Sequence, residues 1–96
     1  MAAYGTILKR WPESYAALMG LGNVWHGVGD FASAEQAFRR AIDVGPERSE
    51  AWNNLAYVLA ARGRRGEAVD AAEEAVRLSP SNQEPYLDTL REISGS

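Results

Sequence analysis

Residues 17–46, ALMGLGNVWHGVGDFASAEQAFRRAIDVGP, and residues 51–80, AWNNLAYVLAARGRRGEAVDAAEEAVRLSP, are two copies of one plan. Shifted by 34 positions, Ala17 falls on Ala51, Leu21 on Leu55, Val24 on Val58 and Gly29 on Gly63. Ala34 then meets Ala68, Ala37 meets Ala71, Ala41 meets Ala75, and Pro46 meets Pro80. Alanine coincidences come easily in an alanine-rich chain; paired glycines, prolines, leucines and valines at one offset do not. A fixed period of this size marks a stacked-repeat architecture, in which one unit alone cannot bury its apolar face.

Each copy reads as two helices. In the first copy Leu18, Leu21, Gly22 and Trp25 recur at helical spacing on one face. Gly27, Gly29 and Asp30 interrupt the pattern, and Ala34, Phe38, Ala41 and Ile42 form a second stripe. Gly45-Pro46 ends it, glycine suiting a left-handed cap and proline being unable to continue the helix. The second copy repeats this with Trp52, Leu55, Ala56 and Leu59, a turn at Gly63, then Ala68, Ala72, Ala75 and Val76, closed by Ser79-Pro80. Small residues at Gly22, Ala56, Ala34 and Ala68 let paired helices approach closely. Full burial of Trp52 would be worth roughly 3–5 kcal/mol against alanine.

These residues resemble the tetratricopeptide repeat, whose signature is W-x2-L-G-x2-Y, then A-x3-F, then P. Unit one carries it in Leu18, Leu21, Gly22, Trp25, Ala34, Phe38, Ala41 and Pro46, and unit two in Trp52, Leu55, Ala56, Leu59, Ala68, Ala75 and Pro80. Unit two departs from it at Ala72, where phenylalanine is preferred, and at Arg65, where Phe31 supplies an aromatic in unit one. The resemblance implies an all-α, right-handed superhelix of antiparallel helix pairs.

The expected organisation is a single domain over residues 1–96. Residues 2–10 look like the second helix of a preceding partial repeat, because Ala3-Tyr4, Ile7-Leu8 and Pro12-Glu13 precede Ala37-Phe38, Ala41-Ile42 and Pro46-Glu47 by one period. Repeat one spans 15–48 and repeat two 49–82. A capping helix is expected over 83–93, with Tyr86, Leu90 and Ile93 on its inner face. Trp11 takes the place of Gly45, at the surface or against a lost neighbour. Tyr4, Ile7 and Leu8 would lack an intrachain partner, which suggests either a fragment of a longer protein or self-association through the N-terminal half repeat. The arrangement is also similar to repeat segments attached to larger bacterial proteins.

Composition narrows the function classes. Apolar residues are 46% of the chain and charged ones 24%, ordinary for a folded domain. A net charge of −3 gives no reason to expect nucleic acid or an anionic membrane as partner. Without cysteine there are no disulfides or thiolate metal sites. No apolar run approaches the roughly 20 residues that span a bilayer. The start, Met1 to Gly5, lacks the basic region and apolar core of a signal peptide, so the default compartment is the cytoplasm.

No catalytic or cofactor site emerges. His26 is the only histidine, so it has no second histidine with which to share a metal. Gly20-Leu21-Gly22 lacks the third glycine of a dinucleotide loop and sits inside a helix. Glu67, Asp70, Glu73 and Glu74 fall on the outer face of a helix and read as solvated. Arg62, Arg64 and Arg65 around Gly63 form either a solvated turn or a small patch for an acidic partner.

The candidate site is the groove. In this family the first helix of each pair lines the concave surface, and the resemblance carries those places onto Ala16, Met19, Gly20, Asn23, His26 and Gly27 of unit one. In unit two it carries them onto Glu50, Asn53, Asn54, Tyr57, Ala60 and Ala61. Met19, Asn23, His26, Glu50, Asn53, Asn54 and Tyr57 are the side chains expected to bind a peptide. Asparagine amides both donate and accept, which suits an extended backbone. Tyr57 and Met19 add apolar contact, one rigid and one adaptable. Chaperone-binding members of the family grip a C-terminal carboxylate with two asparagines and three cations. Asn23 and Asn54 match the asparagines, but Met19 replaces the first lysine, and Glu84, Pro85 and Asp88 stand where the other cations belong. The expected function is therefore binding of an extended peptide or partner segment in the concave groove, without catalysis, cofactor or carboxylate clamp. The alternative is docking on the parent chain or on a second copy. With a few hydrogen bonds at about 1 kcal/mol each, affinity should be micromolar or weaker.

Overall fold

The computed structural model describes residues 14–95, and these form five α-helices joined by short turns. They are α1 (Tyr15–Gly27), α2 (Phe31–Val44), α3 (Ser49–Ala61), α4 (Arg65–Arg77) and α5 (Glu84–Ser94). The expected N-terminal helix over 2–10, Trp11 and the proposed self-association surface there lie outside the described residues. Each helix packs on the next, and α5 also reaches back to α3. The helices thus form antiparallel pairs, α1 with α2 and α3 with α4, and α5 stands where the first helix of a further pair would.

The turn within each pair repeats with the sequence. Gly29 and Gly63 have φ of 83° and 77°, the left-handed region that glycine enters without a Cβ penalty. The amide of Gly29 bonds the His26 carbonyl at 3.1 Å and that of Asp30 bonds Trp25 at 2.9 Å. In unit two Gly63 bonds Ala60 at 3.0 Å and Arg64 bonds Leu59 at 2.9 Å, one period on. Side-chain caps differ between the units. Ser14 and Asp30 accept the Ala17 and Ser33 amides at 3.1 Å, whereas Arg48 and Arg64, one period later, cap with no side chain.

Gly45 does not serve as the left-handed cap expected of it. Its φ is −135°, an extended conformation that leads directly into Pro46. It provides room instead: a Cβ there would stand 3.1 Å from Arg48 Cδ and 3.2 Å from Tyr15 Cδ1.

Phe38, Leu18, Leu55, Leu59 and Val58 are the largest fully buried side chains. The helical stripes read from the sequence account for all of these except Val58. Trp52 is only half-buried, because its indole lies at the edge of the core and donates to the Pro46 carbonyl at 3.1 Å. The gain expected from burying it completely is therefore not realised. In α5 the buried positions are Thr89 and Ile93, while Tyr86 and Leu90 are half-buried. Contact with both α3 and α4 turns Thr89 inward, one period after Leu55, and the helix begins at Glu84 with Gln83 as its cap residue.

Candidate functional site

The faces of α1 and α3 opposite the core stripe come together as a cleft. Met19 and Asn23 of α1 and Glu50 and Asn54 of α3 line a cavity of about 610 Å³, with Tyr15 and Arg48 at its edge. Asn23 and Asn54 are one turn from Met19 and Glu50 respectively, so helical periodicity alone puts each pair on one face. A smaller space of about 60 Å³ continues between Asn23, His26, Asn54 and Tyr57. Tyr57 also walls a third compartment of about 570 Å³, bounded by Ala60, Gly63, Arg65, Glu92 and Ile93. Shared walls at Asn23, Asn54 and Tyr57 make the three spaces one track across α1, α3 and α5.

The two amides meet: Asn54 Nδ2 donates to Asn23 Oδ1 at 3.3 Å. That length marks a weak bond. The Asn23 Nδ2 and the Asn54 Oδ1 make no hydrogen bond among the described residues. Asn53 does not join this lining; its Oδ1 is buried and has no hydrogen-bond partner. His26 is exposed, with its ring tilted against Phe31 at 5.6 Å between centroids. Met19 is half-buried against the core, so only part of it reaches the cleft.

Tyr57 is held from α5. Its hydroxyl donates to Glu92 Oε2 at 3.0 Å and accepts from Thr89 Oγ1 at 3.2 Å. Neither Thr89 nor Glu92 is apparent from the amphipathic reading of α5, although one more step of the repeat offset places them opposite Leu55 and Val58. At the other end of the cleft the Arg48 guanidinium lies 4.6 Å from the Tyr15 ring centroid, a cation–π contact. Burial first, and the Glu50 carboxylate second, push the Tyr15 phenol above its ordinary value.

Several of the charged groups singled out from the sequence have structural partners. Arg62 and Arg64 each bond Glu35 Oε1 at 2.8 Å, and Arg39 bonds Glu35 Oε2 at 2.8 Å. Arg62 and Arg64 are thus not idle: they tie unit two to a buried carboxylate of unit one. Burial alone would raise the Glu35 carboxyl, but bonding to Arg39 and the charges of Arg39 and Arg64 outweigh it and hold the group below its usual range. Glu67 and Glu74 are likewise lowered, by hydrogen bonds from Arg64 and Arg77. Asp88 and Glu84 face Arg91, at 2.7 and 3.9 Å. Among the described residues no helix is long and apolar enough to cross a membrane.

Comparison with known proteins agrees with this architecture. A family profile described as tetratricopeptide repeat matches residues 27–83, more than half of the chain. A TPR repeat-containing thioredoxin of Arabidopsis thaliana is 45% identical over 60 residues, covering 62% of this chain and 9% of that protein. A peroxisomal targeting signal receptor of Kluyveromyces lactis is 35% identical over 63 residues, 66% of this chain and 11% of the receptor. A small glutamine-rich tetratricopeptide repeat-containing protein of Mycosarcoma maydis is 28% identical over 81 residues, 84% of this chain and 23% of its own length. The chain therefore spans under a quarter of the length of each of these relatives. All three are eukaryotic, and they do not bear out the expected kinship with bacterial proteins.

Proposed function

The chain belongs to the tetratricopeptide repeat family, and from that membership we propose that it holds an extended segment of another protein along the α1–α3–α5 face. The fold is a protein-binding scaffold. The observation that carries the finer reading is the Asn23–Asn54 contact across the cleft between successive units. Two amides from consecutive repeats present spare donors and acceptors at the spacing of the repeat. An extended backbone can satisfy them whatever its side chains, since amides match amides. The Tyr57 ring, Met19 and the Ala60–Ile93 floor then offer apolar contact to alternate side chains. One relative is named as a receptor for a peroxisomal targeting signal, which is consistent with a repeat of this kind receiving a peptide segment.

The test is an immobilised peptide library probed with the wild-type chain and with Asn23→Ala/Asn54→Ala, matched in thermal stability. Peptides retained by the first and lost by the second support the cleft as receptor and define its motif. Peptides bound equally by both, or bound by neither, reject it. In the latter case, a mass that grows with protein concentration in light scattering would place a second copy in the cleft.

A further inference from the structure

The compartment at the α5 end of the track is far larger than its counterpart one period earlier. Tyr57, Ala60, Gly63, Arg65, Glu92 and Ile93 bound about 570 Å³. Asn23 and His26, one period before Tyr57 and Ala60, border a space of about 60 Å³. Both units make the same helix–turn–helix path, so the difference lies in the side chains.

Rings fill the earlier place. His26 and Phe31 lie 5.6 Å apart between centroids, and Phe31 packs against the core. Their counterparts in unit two are Ala60 and Arg65, a methyl group and a guanidinium. Unit two therefore lacks both rings, and the two residues that replace them line the enlarged space.

Arg65 makes no hydrogen bond or ion pair among the described residues, although Glu92 shares the compartment wall. Arg62 and Arg64, by contrast, are engaged by Glu35. Arg65 is the first residue of α4, where a cation opposes the helix dipole, so the helix gains no stability from it. The Glu92 carboxylate instead accepts the Tyr57 hydroxyl at 3.0 Å, which fixes the Tyr57 ring as a wall while leaving that residue 38% exposed.

We propose that this compartment receives an aromatic side chain of the segment held along the α1–α3–α5 face, an inference that rests on that face binding a segment. The incoming ring takes the place that Phe31 fills in unit one. It packs against Ala60, Ile93 and the Tyr57 ring, and the Arg65 guanidinium covers its face. An acidic side chain would meet the like charge of Glu92, a basic one that of Arg65, and an aliphatic one would gain no contact with the guanidinium.

The probe is N-acetyl-tyrosinamide, with N-acetyl-leucinamide as control, titrated into the ¹⁵N-labelled full chain and followed by amide chemical shifts. The expected result is a saturable response to the tyrosine compound at Tyr57, Gly63, Arg65 and Ile93, and a clearly weaker one to the leucine compound. Arg65→Gln should weaken binding about threefold, the size of an exposed cation–π contact. Ala60→His/Arg65→Phe restores the rings of unit one and should abolish it, while Asn23→Ala/Asn54→Ala should leave it unchanged. Four results overturn the proposal: no saturable response, an equal response to the leucine compound, binding that survives Ala60→His/Arg65→Phe, or indifference to Arg65→Gln. A mass that grows with protein concentration and stops growing in Ala60→His/Arg65→Phe would also overturn it, by placing a second copy in the compartment. Circular dichroism melts of the variants exclude loss through unfolding. The probe has no extended backbone, so its failure strikes the compartment alone, whereas a silent peptide library with the probe still bound strikes the groove.

Discussion

Gly22 lies against the face of Phe38: a Cβ at residue 22 would sit 2.7 Å from both Cδ1 and Cζ of the ring. One period later the pair is Ala56 with Ala72, both fully buried. The two units solve the same α–α crossing in opposite ways, one with a bare backbone under a large ring and the other with two methyl groups.

The pair should behave non-additively. Gly22→Ala alone is expected to cost about 1–3 kcal/mol through overpacking. Phe38→Ala alone should cost about 3–5 kcal/mol through the cavity it leaves. The double variant reproduces the chemistry of unit two and should lose clearly less than the sum, because the new methyl enters the vacated space. Urea denaturation of the four proteins measures the coupling; strict additivity would show that Gly22 and Phe38 do not constrain each other.

Glu35 makes the joint between units sensitive to acid. Its carboxyl pKa is lower in the folded chain than the ordinary 4.5, so its contribution is fully present above that value. It is lost as pH falls through the folded pKa. At neutral pH Glu35→Gln should cost about 1–2 kcal/mol, since three arginines lose their charged acceptor. The difference between wild type and variant should shrink steadily below pH 4.5. A difference that stays constant from neutral to acid pH would remove the charge from this account.

The glycines at residues 63 and 66 should respond in opposite directions. Gly63→Ala forces an alanine to φ near 77° and is expected to cost about 1–2 kcal/mol. Gly66 lies in the first turn of α4 with nothing within 4 Å of a Cβ, so Gly66→Ala should stabilise by up to about 0.5–1 kcal/mol. Thermal melts of the two single variants compare them directly.

Tyr57→Phe isolates the latch between the cleft and α5. The ring stays, but Thr89 and Glu92 lose the hydroxyl between them. Loss of about 1 kcal/mol is expected, concentrated in α5. Hydrogen exchange should therefore accelerate in residues 84–94 and remain unchanged in α1. Uniform acceleration throughout the chain would show that Tyr57 supports the whole stack and not the last helix.

The 34-residue offset and the helical spacing of Leu18, Leu21, Leu55 and Leu59 determined the helix pairs, the places of the turns at Gly29 and Gly63 and most of the core. Periodicity and φ preference act over a few neighbouring residues and are written locally. The same spacing put Asn23, Asn54 and Tyr57 on the face opposite that core. Other features depended on what the next unit brings close. Trp52 stays half-buried because Pro46 and the α4 wall leave its indole at an edge. Thr89 turns inward because α5 packs on two helices at once. Arg62 and Arg64 pair across the two units because a carboxylate 27 and 29 residues earlier lies within reach. Asn53 leaves the cleft although its neighbour Asn54 lines it, because successive residues on a helix point about 100° apart and α1 reaches only one of them. Burial and charge pairing are sums over neighbours distant in sequence, so tertiary structure alone decided them.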